Sequence, residues 1–156
     1  MIYLLLKYIH IIGAAVLLGT GAGIAFFMLM AHFSRSVPVI AGVARIVVIA
    51  DFVFTTSAVV VQPITGVALT WLAGYSLTEG WVALSIALYL LTGAFWLPVV
   101  WMQMRIRDIA QAAVAANQPL PPIYHQFFWW WFAFGFPAFG AVMTIIWLMI
   151  AKPLIF

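Results

Sequence analysis

Four apolar runs, each long enough to cross a bilayer, take up most of this chain: roughly 2–31, 39–74, 81–103 and 123–150. A hydrocarbon core about 30 Å thick is spanned by about 20 helical residues. Inside it every backbone polar group needs a partner within the protein, which a helix supplies from its own carbonyls. The expected fold class is therefore all-α, a polytopic membrane protein built as a single four-transmembrane-helix antiparallel bundle over residues 1–156. With 68% hydrophobic and 6% charged residues, an ordinary soluble domain is excluded. The first run lacks a basic leader and is too long for the apolar part of a signal peptide, so it reads as a membrane helix.

The breaks between runs carry the expected punctuation. His32 to Pro38 is a short polar link, and Pro38 suits the start of a new helix. Gly74 to Gly80 is a turn, and Asn117 to Pro122 holds three prolines. After Met102 the third run continues as helix beyond the lipid, through Arg105, Arg107 and Asp108 into an Ala-rich stretch ending near Ala116. Pro63 sits inside the second run, where it kinks the helix and frees a carbonyl one turn earlier. No internal repeat of fixed period is visible.

Charge decides orientation more than function here. The formal charge of +3 is small and scattered, so nucleic acid is not an expected partner; the lipid bilayer is. Arg35, Arg45, Arg105 and Arg107 flank the first and third links, against Lys7 and Lys152 at the other end. The positive-inside rule then puts both long links in the cytoplasm and both termini outside, in the periplasm if the membrane is a bacterial inner membrane. The chain has no cysteine, which removes disulfides, thiolate metal sites, covalent c-type haem and cysteine nucleophiles.

The candidate site begins with Lys7 and His10, three residues apart on one face of the first helix. An ionisable group inside a membrane helix is a functional hypothesis by default. Neutral imidazole is a good ligand for haem iron, and haem can sit between helices of a bundle. Counting depth along straight helices places Thr65, Tyr89 and Thr144 near His10, with Gln62 one turn deeper and Ser85 one turn shallower. The expectation is one pocket lined by His10, Lys7, Gln62, Thr65, Ser85 and Tyr89, with His10 as metal ligand to haem b and Lys7 near an acidic head group. The plainer alternatives are a histidine bonded across helices and a lysine that snorkels to the interface. No second axial ligand is evident.

Further along, Asp51 is the one acid inside a span, and it is expected to pair with Arg105; a proton relay helped by Thr55 and Thr56 is the alternative. His32 and His125 are expected to be solvated loop histidines. Met102 and Met104 invite a copper reading, but residues two apart face different sides of a helix.

Several motifs resemble known families. Tyr3–Leu4–Leu5–Leu6–Lys7–Tyr8–Ile9–His10–Ile11 and the Gly-rich run after it resemble the first helix of HemJ-type protoporphyrinogen oxidases and of CopD-type copper-resistance membrane domains. Gln62–Pro63 through Leu72, Gly80–Trp81 and Ala151–Lys152–Pro153 are similar to HemJ-type features. Asp51, Gln62–Pro63, Trp96–Leu97–Pro98 and Lys152–Pro153 together resemble the bacterial inner-membrane family called domain of unknown function 2269. The HemJ likeness implies b-type haem on the first-helix histidine, here His10, and redox chemistry that transfers electrons or protons with a quinone or a tetrapyrrole. Ala83 and Ser85 stand where that family has a His-x-Lys pair, so its oxidase reaction does not carry over. The CopD likeness implies a copper-handling module; a homo-oligomer or a subunit of a larger membrane complex is the remaining expectation.

Overall fold

In a computed structural model that describes residues 1–155, four long helices make up nearly all of the chain. They are α1 (Ile2–Phe33), α2 (Val37–Leu72), α3 (Gly80–Ala115) and α4 (Pro122–Ala151), each long and apolar enough to cross a membrane. No strand occurs among the described residues. The chain is thus an all-helical integral membrane bundle, as its apolar runs predict. α3, at 36 residues, reaches about 54 Å at about 1.5 Å per residue. That exceeds a hydrocarbon core of about 30 Å.

The helix ends follow from local chemistry. After α2, Gly74 takes φ +77°. The N–H of Tyr75 then donates to the carbonyl of Thr70, and that of Gly74 to Trp71. This double bond stops a helix where glycine relieves the left-handed strain. Asn117 does the same after α3, at φ 51°, with Gln118 donating to Ala113.

Most of the core lies at the end holding the links 34–36 and 116–121. There Ile24, Met28 and Ala31 of α1 meet Ile40, Ala41 and Ala44 of α2, Met102, Ile106 and Ala110 of α3, and Tyr124, Phe128 and Trp131 of α4. Lipid is as apolar as leucine, so helices associate through close packing, which small residues such as Ala41, Ala44 and Ala110 permit. At the opposite end a smaller cluster of Trp81, Val82 and Leu148 joins α3 to α4.

His32 belongs to this core and not to a solvated loop. It sits in the last turn of α1, stacked on Phe128 with ring centroids 3.8 Å apart, and its Nδ1 pairs with the Tyr124 hydroxyl at 3.1 Å. The link begins later than expected, at Ser34, because these aromatics hold the final turn. His125 is exposed. Tyr124→Phe should cost only about 1 kcal/mol, because it removes both the buried hydroxyl and its need for a partner. Thermal unfolding in detergent, compared with His32→Ala, would check this.

α2 changes neighbours halfway along. Its first half packs against α3, whereas its second half, Thr56–Leu72, packs against α1 and largely leaves α3. The changeover coincides with one wide π-helical turn, Asp51–Thr55. The Thr56 N–H reaches back five residues to the Asp51 carbonyl. Hydroxyls serve the carbonyls around this turn: Thr56 donates to Asp51 at 3.3 Å, and Ser57 to Val53 at 2.7 Å. Thr56 and Ser57 thereby have a structural role that composition alone does not reveal.

Candidate functional site

Three of the six expected site residues meet where α1 crosses the second half of α2. His10 Nδ1 lies 2.7 Å from Thr65 Oγ1. Gln62 Nε2 donates to the His10 carbonyl at 2.8 Å. Two glycines make this approach close. A Cβ on Gly13 would stand 2.5 Å from Gln62 Nε2, and one on Gly66 would stand 3.3 Å from His10 Cε1. The depth count names neither glycine; Gly13 opens the small-residue run after His10, the kind of surface that a neighbouring helix can approach closely, and Gly66 directly follows Thr65.

The hydrogen bonds define a tautomer. The single hydroxyl proton of Thr65 has a backbone acceptor one turn back, the Val61 carbonyl at 2.8 Å, with Gln62 O at 3.2 Å. Threonine in a helix commonly bonds in this way. We therefore assign Thr65 Oγ1 as acceptor and His10 Nδ1–H as donor, which leaves the lone pair on Nε2. Nε2 has no hydrogen-bond partner among the described residues and is not enclosed. A ligating histidine typically has this arrangement, with one ring nitrogen oriented by a hydrogen bond and the other free for the metal.

The other expected members are elsewhere. Tyr89 donates to the carbonyl of Val59 on α2. Val59 is four residues before Pro63, whose ring nitrogen has no hydrogen to offer it. Tyr89 thus repairs the bond that Pro63 removes and links α3 to the second half of α2. The Ser85 hydroxyl is buried and committed to the Trp81 carbonyl of its own helix at 2.7 Å. Thr144 is exposed and bonds its own helix at Gly140. Lys7 is exposed one turn from His10, with its ammonium 6.0 Å from the Tyr3 ring centre. Equal depth does not fix which way a side chain faces, and this accounts for Tyr89, Ser85 and Thr144 standing outside the cluster.

Asp51 makes no pair with Arg105. Among the described residues the one ion pair is Arg107–Asp108, at 2.8 Å between sequence neighbours. Asp51 is only 4% exposed, and its Oδ1 accepts instead from Trp96 Nε1 at 3.4 Å. Arg105 is exposed, about two and a half turns beyond Trp96 on α3, and a guanidinium gains more from water at the interface than from a buried carboxyl.

No group of three or more His, Cys, Asp or Glu side chains that could hold a metal ion occurs among the described residues. A family model described as "predicted integral membrane protein", domain of unknown function 2269, matches residues 4–153. No curated protein and no solved structure matches the chain. The match covers all four helices and the His10–Gln62–Thr65 crossing, and the chain belongs to the DUF2269 family of integral membrane proteins.

Proposed function

We propose that this protein binds b-type haem in the membrane, with His10 as an axial ligand and a role in electron or proton transfer. The observation that carries the reading is the oriented imidazole: Nδ1 is held by Thr65, and Nε2 is left without a protein partner. Gln62 anchors the His10 backbone, and Gly66, with no side chain, lets the imidazole pack close against α2. The exposed Lys7 ammonium, one turn away, suits a propionate. The resemblance of the first helix to HemJ-type proteins favours haem iron over another metal. When bound, the haem supplies one-electron chemistry; the chain's own residues orient the ligand and fix its proton. A quinone or a tetrapyrrole is the proposed redox partner. The arginine bias in the links orients both termini toward the periplasm of a bacterial inner membrane.

The test is an absorption spectrum of protein purified in detergent, before and after added haemin. A Soret band is expected, and it should be lost completely in His10→Ala. Thr65→Val should keep the band but shift its reduction potential, because the donor acceptor pair that polarises the ring is gone. A preparation that stays colourless with haemin would overturn the proposal and reduce the His10 cluster to a lock between α1 and α2.

A further inference from the structure

The buried carboxyl at the middle of α2 has no role in the His10 site, and its surroundings are unusual. Asp51 and Thr55 are one turn apart on the inward face, 4% and 5% exposed. Asp51 Oδ2 and Thr55 Oγ1 are both fully buried, and neither has a hydrogen-bond partner among the described residues. Trp96 Nε1 donates to the carboxyl, at 3.4 Å from Oδ1. Among the described residues no ionised group offsets it. α1 carries no titratable side chain between His10 and His32, α3 none between Tyr89 and Arg105, and α4 none between His125 and Lys152. On α2 itself the nearest charge, Arg45, is exposed.

An isolated carboxylate in such surroundings is strongly disfavoured. One hydrogen atom removes the buried charge: placed on Oδ2, it makes the carboxyl a neutral donor, and the unpartnered Thr55 hydroxyl, one turn along the same helix, is the acceptor the proposal assigns to it. A metal cation fits less well, since one carboxyl and one hydroxyl fall short of the six or so oxygens that hard cations gather. We propose that Asp51 is a proton-binding site of the membrane interior, resting as the neutral acid and exchanging its proton through the Thr55 hydroxyl. On release the Oδ2–H bond breaks and the proton passes by way of Thr55 Oγ1 to water; the carboxylate left behind accepts from Trp96 and from the Thr55 hydroxyl. Wide π-helical turns are frequent at functional sites, and here one sets the acid at the point where α2 parts from α3. The proposal is independent of haem at His10.

The test uses the intact protein in phospholipid vesicles. Dicyclohexylcarbodiimide, an apolar reagent for protonated carboxyl groups, should modify Asp51 an order of magnitude faster than Glu79 or Asp108, as read by mass spectrometry of peptides. Asp51→Asn, which keeps the shape, should lose that label. The infrared spectrum should contain a carboxylic-acid carbonyl band that is absent in Asp51→Asn, shifts in deuterated water and moves again in Thr55→Val. Absence of that band, or failure of the band to exchange with deuterated water, would overturn the proposal. Protection of Asp51 from the reagent by sodium at constant ionic strength would overturn it in favour of a metal-cation site.

Discussion

Tyr89→Phe should destabilise the folded bundle by about 1–3 kcal/mol, the range for a buried polar group left without its partner, and Pro63→Ala should cancel most of that loss. The Val59 carbonyl lies where lipid and side chains exclude water, so it has no substitute donor. With alanine at position 63 the helix regains its own N–H for Val59, and the tyrosine hydroxyl becomes dispensable. The two effects are therefore coupled. In the Pro63→Ala background Tyr89→Phe should cost only a few tenths of a kcal/mol, and the coupling should be near the upper end, about 1–2 kcal/mol, of values for hydrogen bonds between membrane helices. A double-mutant cycle by unfolding in mixed detergent micelles measures it. Simple additivity would show that the Tyr89 hydroxyl is not what satisfies the carbonyl.

Substitution at Gly13 should have the larger effect on the site. A Cβ there stands 2.5 Å from Gln62 Nε2, at the far end of a flexible side chain. Gly13→Ala is therefore expected to expel the amide and break its bond to the His10 carbonyl, at a cost of about 1–3 kcal/mol. Gly13→Leu has no such escape. Its side chain should push α1 away from the second half of α2, break the His10–Thr65 bond and abolish any haem spectrum while leaving the core at the other end of the bundle in place. The control is Gln62→Ala, which removes the atoms in the way; in that background Gly13→Ala should be nearly silent. An equal penalty with and without Gln62 would mean that the helix backbones, and not this side chain, set the spacing.

The two sites also differ in what they demand of the backbone. At His10, two glycines bring the chains close enough for short polar bonds. At Asp51, a wide turn and the hydroxyls of Thr56 and Ser57 sustain a local departure from helix geometry. α2 takes part in both, and it carries buried polar residues at 51, 55, 62, 65 and 70. A membrane helix shows this pattern when its polar groups are shared with neighbouring helices and not with lipid.

The sequence by itself determined the four crossings and the approximate place of their breaks, and it marked His10 as a candidate. Each follows from a property that acts along the chain: apolar length against bilayer thickness, turn-forming residues, and the cost of an ionisable group in hydrocarbon. It also determined that Pro63 would free a carbonyl. Only the tertiary structure decided that Tyr89 takes that carbonyl, that Asp51 faces Trp96 and not Arg105, and that His32 packs among aromatics. Those outcomes depend on helix rotation and on the exchange of partners by α2. In a bundle whose helices are apolar on every side, no strong hydrophobic stripe records which face turns inward. The small offsets of packing decide it instead, and they exist only once all four helices are together.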